Sequence, residues 1–479
     1  MPTLGQLALG TLHLVLASVV SAHVVLTKRD VRAAIGWTGL VWLTPIVGSL
    51  LYGLMGINRI RRQAVKIRGR NALADRYTAE LEVHRGAAAA LPVDTPPAIR
   101  SLATLVGSAT GQRLTTGNTV RPLVNGDRAY PEMLAAIDQA TRSVALATYI
   151  FDRGVAAEWF VDALARAVAR GVEVRVLIDG VGVRYSRPPI TRALRRRGVR
   201  VALFLPSAVP VLHPYFNLRN HRKILVVDGQ IGFCGGINIR DACLLERSPK
   251  WPTQDLHFRV EGPVVRQLMA AFALDWGFAA KEQLDGQSWF PALEQPGQVA
   301  ARGIPDGPDE DFETLLQTLL GALSQATRTI RLATPYFLPG GALIAGFQTA
   351  ALRGVRVEIV LPERGNLRLV QWAMMAHVRQ IVEAGCRVYL APRPFDHSKV
   401  LVVDGAWALI GSANWDPRSL RLNFEFGVEC YSAALAAELD ALLDAKIANA
   451  KLLTLADLDR RPLPVKLRDG VARLAQPYL

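Results

Sequence analysis

Residues 220–238 read Asn-His-Arg-Lys-Ile-Leu-Val-Val-Asp-Gly-Gln-Ile-Gly-Phe-Cys-Gly-Gly-Ile-Asn, and the polar positions of this stretch return once later in the chain. Both copies hold a histidine, a lysine, an aspartate, a Gly-Gly or Gly-Ser pair and an asparagine: His221, Lys223, Asp228, 235–236 and Asn238, then His397, Lys399, Asp404, 411–412 and Asn414. The step from histidine to asparagine is 17 residues in each copy (238 − 221 and 414 − 397). Packing alone does not explain this identical spacing, so we interpret the stretch as a functional unit that occurs twice.

The first copy is typical of two strands joined by a tight turn. His221 and Lys223 are two residues apart, so on an extended segment their side chains leave by the same face. The β-branched, apolar run Ile224–Val227 predicts a buried strand. An Asp-Gly pair at 228–229 predicts a turn, and a second apolar run follows at 231–234. The unit therefore brings an imidazole, an ammonium and an amide into one small space.

These three groups suit a phosphate. The lysine neutralises the oxygens as a point charge, the amide donates to them, and a neutral imidazole can attack phosphorus. The second copy supplies another imidazole, which can protonate a leaving alcohol. A single copy could also be a β-hairpin with a solvated histidine and lysine, but the matched pair favours one centre built from both copies.

The doubled pattern His-x-Lys-x4-Asp-x6-Gly-[Gly/Ser]-x-Asn resembles the phospholipase D superfamily, the HKD enzymes. The resemblance implies an α/β fold in which two duplicated phospholipase D-like βα sandwich halves form one active site. The resemblance also implies the site residues, which are catalytic His221, Lys223, Asp228, His397, Lys399 and Asp404 and phosphate-binding Asn238 and Asn414. Of these, Asp228 and Asp404 follow predicted strands, and we expect them to be structural members of the site. The pattern alone does not choose among phospholipases, phosphatidyltransferases and nucleases.

Each half also has a carboxylate downstream of its histidine. Asp255 follows His221 by 34 residues, and Glu425 follows His397 by 28 (255 − 221 and 425 − 397). A carboxylate on the far ring nitrogen would fix the tautomer and orient the ring. In the superfamily an acid at about this place has that role, which the resemblance assigns to Asp255 and Glu425. Glu261 and Glu429 are nearby alternatives, and an exposed structural acid is another.

The overall composition predicts an anionic partner. The 479 residues carry a formal net charge of +15 and a pI near 10, which suits lipid headgroups or nucleic acid. The four cysteines are scattered without metal-binding spacing, which favours reduced, buried thiols on a cytoplasmic domain.

Two apolar stretches begin the chain, at residues 4–27 and 33–57, and each is long enough to cross a bilayer. We therefore predict an N-terminal transmembrane helical hairpin over 1–58. A cleavable signal peptide is the alternative for the first stretch, but no Lys or Arg precedes it and a second stretch follows at once.

Charge counting predicts the orientation. A basic cluster after the second stretch outweighs the charges between the two stretches: Arg59, Arg61, Arg62, Lys66, Arg68 and Arg70. Basic segments remain cytoplasmic, so the amino terminus and the catalytic body should lie on that side of a bacterial inner membrane, in a multi-pass protein. The cluster also favours an anionic leaflet. A basic juxtamembrane segment and linker over 59–115 leads to the body.

The body shows an internal duplication. The sequence at 140–144 resembles that at 326–330, and 170–174 resembles 353–357. We predict a first half at 116–295 and a second half with a C-terminal tail at 296–479. Within the first half, Asn-Gly-Asp at 125–127 predicts a turn before a helix. The run 203–216, with three prolines, could be a lipid-facing lip or a packed loop.

The whole layout resembles the bacterial cardiolipin synthases over nearly the full chain, including the phrases at 147–151, 217–223 and 334–337. The resemblance implies a membrane phosphatidyltransferase that moves a phosphatidyl group between two phosphatidylglycerol molecules, giving cardiolipin and glycerol through a phosphohistidine. His221 is written as nucleophile and His397 as acid, although the sequence does not decide between them. Phosphatidylethanolamine could replace one partner.

The implied partners are phosphatidylglycerol and an anionic bilayer. Neither a nucleic acid, a cofactor nor a metal is expected, and the oligomeric state is not predicted. The alternative function is a phospholipase D-type phosphodiesterase or a membrane-tethered nuclease of the same superfamily. A non-enzymatic anchor would have no use for catalytic groups in both copies.

Overall fold

The computed structural model describes residues 3–28, 30–56, 91, 95–206, 217–308 and 313–476. It contains two compact units, Met1–Lys66 and Ile67–Leu479. The basic cluster predicted after the second apolar stretch, much of the predicted linker and most of the 203–216 run lie outside the described residues.

The described residues of the first unit form three helices, α1 (Leu4–Thr27), α2 (Val31–Leu43) and α3 (Val47–Leu51), followed by a π-helical turn (Tyr52–Gly56). Among the described helices, α1 is the one that is long and apolar enough to cross a membrane. It begins with a capping box, in which Thr3 and Gln6 bond each other's backbone N–H. The indole N–H of Trp42 on α2 donates to the Ser21 hydroxyl on α1 at 3.0 Å.

The second apolar stretch is not one continuous helix, so the predicted hairpin of two full spans is not confirmed. Helix α2 ends at Leu43, and Thr44, Pro45 and Ile46 form a turn before α3. Proline has no N–H for the helical hydrogen bond and its ring clashes with the preceding turn. Ile46 then has a positive φ of 60°, which a helix does not allow.

The second unit has α4 (Pro97–Thr110) as its first described helix. Its first half then contains, in chain order, β1 (Thr115–Val124), α5 (Asn125–Gln139), β2 (Ser143–Thr148), α6 (Val155–Ala169), β3 (Glu173–Asp179), α7 (Thr191–Arg196), β4 (Arg200–Phe204), β5 (Arg219–Asn220), β6 (Ile224–Val227), β7 (Ile231–Gly235), β8 (Thr253–Gln254), β9 (Leu256–Glu261) and α8 (Val265–Ala280). Short 3₁₀ turns lie at Gly182–Tyr185, Asp241–Cys243 and Leu245–Arg247.

The second half repeats this order, ending with three further elements. It contains β10 (Val299–Asp306), α9 (Thr314–Gln325), β11 (Thr329–Ala333), α10 (Gly341–Leu352), β12 (Arg356–Pro362), α11 (Arg368–Glu383), β13 (Arg387–Ala391), β14 (Phe395–Asp396), β15 (Val400–Val403), β16 (Trp407–Gly411), α12 (Pro417–Arg421), β17 (Asn423–Tyr431), α13 (Ala433–Ala448), β18 (Lys451–Leu453), α14 (Leu455–Asp459) and α15 (Leu463–Leu474).

The strand order is the same in both halves, which confirms the duplicated α/β fold. The first half runs β4-β3-β2-β6-β7-β9-β1, and the second runs β13-β12-β11-β15-β16-β17-β10, with β18 beside β13. The two orders meet where β1 pairs antiparallel with β10. One large apolar cluster includes buried side chains of both halves, such as Phe272 and Trp276 of α8 and Phe424 and Phe426 of β17. The halves therefore share a core.

The predicted turn at 125–127 is wrong, because these residues form the first turn of α5. Asn125 takes a positive φ of 60° at the start of the helix. Its backbone N–H donates to the Asp255 carbonyl at 2.9 Å, and its side-chain oxygen accepts from the Asp255 backbone N–H at 3.1 Å. Tertiary bonds to the strand segment that carries Asp255 thus replace the local turn.

Candidate active site

One cleft in the second unit, with a volume of about 310 Å³, is lined by residues of both halves. His221 and Asn238 come from the first half, and His397 and Asn414 from the second. The two motifs, 176 residues apart in sequence (397 − 221), therefore face one space.

His221 is held by a carboxylate of the other half. Its Nδ1 lies 2.9 Å from both carboxylate oxygens of Glu425 on β17, which is fully buried. Ser412 and Asn423 also donate to this carboxylate, at 2.5 and 3.2 Å. Burial alone would raise the pKa of Glu425, but His221, Lys223 and the Ser412 hydroxyl hold the pKa below its usual value. An ionised carboxylate only accepts hydrogen bonds, so Nδ1 carries the proton and Nε2 is the nitrogen left for chemistry.

His397 has the reciprocal partner. Its Nδ1 lies 2.6 Å from Oδ2 of Asp255, in the first half. The other oxygen of Asp255 accepts from the Leu256 N–H at 2.8 Å. Both acids suggested by the sequence thus contact a histidine, and each contacts the histidine of the other half.

Two short strand pairings between the halves explain the crossing. β5 pairs in parallel with β17, and the His221 N–H donates to the Phe424 carbonyl at 2.9 Å. β8 pairs in parallel with β14, and the His397 N–H donates to the Gln254 carbonyl at 2.7 Å. Each histidine is therefore fixed by its backbone beside the acid-bearing strand of the other half.

The two alternative acids take no part in the cleft. Glu261 pairs with Arg259 at 2.7 Å. Glu429 is buried and accepts from Arg302 and from the Trp407 indole. Neither carboxylate lines the cleft.

Both motif lysines are buried beside their histidines rather than on the cleft surface. Lys223 Nζ donates to the His221 carbonyl at 2.6 Å and lies 5.5 Å from the centre of the Tyr149 ring. Lys399 Nζ bonds the His397 carbonyl and lies 2.8 Å from His397 Nδ1. Burial lowers the pKa of both ammonium groups, that of Lys223 to about 7.

Burial also lowers the pKa of both imidazoles, that of His397 to about 4, although the paired carboxylates act against it. A neutral imidazole is the form that can act as nucleophile or base. The ring that attacks phosphorus needs this neutral form, whereas the ring that acts as general acid must gain a proton against the effect of burial, which its paired carboxylate favours.

The two asparagines use their amides differently. Asn238 accepts from the Ile150 N–H at 3.0 Å through its oxygen, so its NH₂ group is available to a ligand. Asn414 donates to the Ser419 hydroxyl at 3.2 Å. Within the described residues its oxygen has no hydrogen-bond partner.

The motif aspartates lie elsewhere, which corrects their grouping with the catalytic residues. Asp228 follows β6 and accepts from the backbone N–H groups of Thr141, Arg142 and Ser143 at 2.8–2.9 Å. Asp404 follows β15 and makes the same three contacts with 327–329. Both take positive φ before a glycine, as a tight hairpin turn requires. They join turns to neighbouring strands and do not line the cleft.

A known protein family matches this chain twice, once in each of the duplicated halves. A family described as cardiolipin synthase, PLD-like domain, matches residues 133–272 and 319–447, one segment in each half. The chain belongs to this family. The resemblance predicted from the doubled motif is confirmed.

Members of the cardiolipin synthase family match nearly the whole chain. The chain is 30% identical to the major cardiolipin synthase ClsA of Bacillus subtilis (strain 168), covering 94% of this chain and 95% of that protein. It is 28% identical to the cardiolipin synthase of Listeria monocytogenes serotype 4b (strain CLIP80459), covering 95% of each. A solved phosphatidylserine synthase from Haemophilus influenzae Rd KW20 shares the fold, with a TM-score of 0.62 at 17% identity over 80% of this chain and all of that one.

Sequence reasoning missed several side chains that shape the cleft of this family member. Tyr149 packs edge-on against His221 with ring centres 5.2 Å apart, and Tyr336 packs against His397 at 6.2 Å. Both tyrosines stand in similar phrases, Ala-Thr-Tyr-Ile-Phe and Ala-Thr-Pro-Tyr-Phe, so the repeat itself was a signal. Three arginines also line the cleft: Arg219, Arg240 and Arg418.

The crossed pairing predicts which side chains are energetically coupled. We expect a double-mutant cycle of His221→Ala and Glu425→Ala to give a coupling free energy of about 1–3 kcal/mol, because the two groups share a buried charge-assisted hydrogen bond. The same-half pair His221→Ala and Asp255→Ala should couple by less than about 0.5 kcal/mol. The measurement is urea unfolding of the full chain in detergent. Stronger coupling within a half than across the halves would contradict the crossing.

Proposed function

We propose that this family member is a membrane phosphatidyltransferase that transfers a phosphatidyl group between two phosphatidylglycerol molecules, giving cardiolipin and glycerol. The observation that carries the proposal is the pair of imidazoles in one cleft, each held through Nδ1 by a buried carboxylate. One ring can then attack phosphorus while the other handles the proton of the alcohol.

In the first step, Nε2 of His221 attacks the phosphorus of the donor lipid. The bond from phosphorus to the glycerol headgroup breaks, and protonated His397 gives its Nε2 proton to the departing oxygen. The products are a phosphohistidine, which retains the diacylglycerol part, and free glycerol. Asp255 stabilises the imidazolium that must form on His397, across the 2.6 Å contact.

In the second step His397 acts as a general base instead of a general acid. Its neutral Nε2 removes the proton from a headgroup hydroxyl of the second lipid, and that oxygen attacks phosphorus. The bond between phosphorus and His221 breaks, which releases cardiolipin and returns His221 to its neutral form. His397 is then protonated again, so the cycle balances.

Buried positive charge supports both transition states. Lys223 and Lys399 lie beside the two histidines, and Asn238 can donate its amide to a phosphoryl oxygen. In a site with little water such fixed charges and donors act strongly on the developing negative charge. The described residues contain no cluster of His, Cys, Asp or Glu suited to hold a metal ion. Independence from metals stays a prediction.

Exposed apolar side chains at the cleft favour a lipid over a polynucleotide. Tyr185 is 56% exposed and Leu367 51% exposed, and both line the cleft. Trp251, 66% exposed, precedes the cleft residue Thr253 by two positions. Such side chains suit acyl chains and the interfacial region of a bilayer.

We also propose that the protein is multi-pass in the bacterial cell membrane, with its catalytic body on the cytoplasmic side. Helix α1 supports a membrane position by its length and composition. Helices α2 and α3 with the following π turn extend from Val31 to Gly56, and a broken segment can cross a membrane where its backbone is packed against protein. The orientation rests on the basic residues of the sequence at 59–70.

Product analysis tests the proposed function against the nuclease alternative. Purified full chain in mixed micelles should convert phosphatidylglycerol into cardiolipin with release of one glycerol per cardiolipin, and should leave single-stranded DNA intact. Products are resolved by chromatography, and the double variant His221→Ala, His397→Ala serves as the inactive control. Cleavage of DNA without any lipid product would overturn the assignment.

Trapping the intermediate tests the assignment of the nucleophile. A phosphatidyl donor with a nitrophenol leaving group needs little acid catalysis, so His397→Ala should still form a phosphohistidine and accumulate it, because no base remains to activate the acceptor. His221→Ala should form none. The reaction is quenched with denaturant at neutral pH, because the phosphorus–nitrogen bond of a phosphohistidine is labile to acid. The protein is then digested, and the peptide labelled with the phosphatidyl group is identified by mass spectrometry. Label in His221→Ala and not in His397→Ala would reverse the two roles.

The low pKa of Lys223 predicts a pH effect. Because burial lowers the pKa of this ammonium to about 7, the free enzyme loses the positive charge as pH rises through 7. The value of kcat/KM should therefore fall about tenfold per pH unit above that point. Lys223→Arg, if active, should retain activity to higher pH, since a guanidinium stays charged. Lys451→Arg, at an exposed site, is the matched control. A wild-type profile that stays flat to pH 9 would contradict this role.

A further inference from the structure

Among the described residues that line the cleft, one guanidinium makes no hydrogen bond or ion pair, although its charge opposes the burial that raises the pKa of the nearby carboxyl group of Asp416. Of the three arginines that line the cleft, Arg219 pairs with Asp179 at 3.3 Å and Arg240 with Asp152 at 3.1 Å. Arg418, which is partly buried on α12, has no hydrogen bond or ion pair to its guanidinium within the described part of the chain. A cation facing a cleft without a protein partner is suited to an anionic ligand.

This charge breaks the symmetry of the duplicated site. Ile239 and Trp415 form equivalent parallel bridges, to Phe151 and Phe337, so the residues that follow them occupy equivalent positions. In this alignment Arg240 corresponds to Asp416. Two positions further on, the first half has Ala242 and the second has Arg418. The cleft is therefore built from two similar halves but carries the unpaired cation on one side alone among its described residues.

The local structure explains how Arg418 reaches the cleft. Asp416 is buried and accepts from the Ser419 N–H at 2.6 Å, which starts α12. In the first half the corresponding stretch forms a 3₁₀ turn, and Asp241 instead caps α6 through the Val155 and Ala156 N–H groups.

The charge of Arg418 also has an electrostatic effect on a residue of the first half, Tyr149. Tyr149 is the ring that packs against His221. Burial raises the pKa of the Tyr149 phenol overall, while the positive charge of Arg418 acts to lower it. The guanidinium of the second half is thus close enough to influence the surroundings of His221.

The proposed reaction needs a second anion site. During the second step the cleft holds the phosphoryl group on one histidine and also the acceptor lipid, which carries its own phosphodiester. Lys223 and Lys399 are buried beside the histidines, so they serve the phosphoryl group under attack. The acceptor phosphodiester requires another cation.

We propose that Arg418 binds the phosphodiester of the acceptor lipid and so makes the enzyme prefer an anionic phospholipid to water or a free alcohol. This inference rests on the proposed function and adds the acceptor subsite to it. The planar guanidinium can bond two phosphate oxygens at once, which fixes the acceptor headgroup beside the phosphohistidine.

Separate assays of the two acceptor types test the subsite. Full chain in mixed micelles is assayed for cardiolipin formation and, in parallel, for exchange of labelled glycerol into phosphatidylglycerol, which uses a neutral acceptor. Arg418→Ala should lower cardiolipin formation about 10- to 100-fold, the effect of losing a charged hydrogen-bonding partner, and leave glycerol exchange within about threefold. Arg418→Lys should give an intermediate rate of cardiolipin formation, because lysine retains the positive charge but lacks the planar guanidinium that can bond two phosphate oxygens.

The matched control is Arg421→Ala, on the same helix but exposed and paired with Glu313 at 3.4 Å. It should change neither assay. An equal fall of both activities in Arg418→Ala would overturn the inference, since Arg418 would then serve the donor, and so would unchanged cardiolipin formation. Absence of glycerol exchange and cardiolipin in the unsubstituted protein would instead contradict the proposed function itself.

Discussion

Two crossed hydrogen bonds hold the site together. Glu425 of the second half fixes His221 of the first, and Asp255 of the first half fixes His397 of the second. Each bond sets the proton on Nδ1, which leaves Nε2 for phosphorus or for an alcohol. The duplication is therefore more than two similar sheets placed side by side, because neither half alone contains an oriented histidine.

Burying this much charge requires compensating contacts. Arg222, 1% exposed, donates to the Glu425 carbonyl and pairs with Asp275, each at 2.9 Å, and so ties the first motif to the strand that carries Glu425. A buried charge that lost its partner would destabilise the fold strongly. The two acid sites are also not interchangeable. Ser412 donates to Glu425, whereas at the matching Gly236 a Cβ would overlap the Asp255 carboxylate.

Much of this architecture could be predicted from the sequence, because the signals are local. The strands Ile224–Val227 and 231–235, the repeat and the identity of both acids follow from alternation, spacing and resemblance. The crossing could not be predicted, since it depends on two strand pairings between the halves that are each only two residues long. Pro45, which breaks the helix in the second apolar stretch, is visible in the sequence, but the prediction of a continuous span followed hydropathy alone. The motif aspartates were grouped with the site because the pattern names them, although their turn position indicated a backbone role.

The short inter-half strands also bear on how such a chain can evolve. Since the carboxylate for each ring is encoded 204 residues away for His221 and 142 residues away for His397, the two repeats cannot drift, be exchanged or be inherited as independent modules. A substitution that reshapes the segment carrying one of these carboxylates changes the orientation of the imidazole in the opposite repeat. Any compensating change has to arise in that opposite repeat. Selection therefore acts on the pair as one unit, even though the gene contains the same design twice.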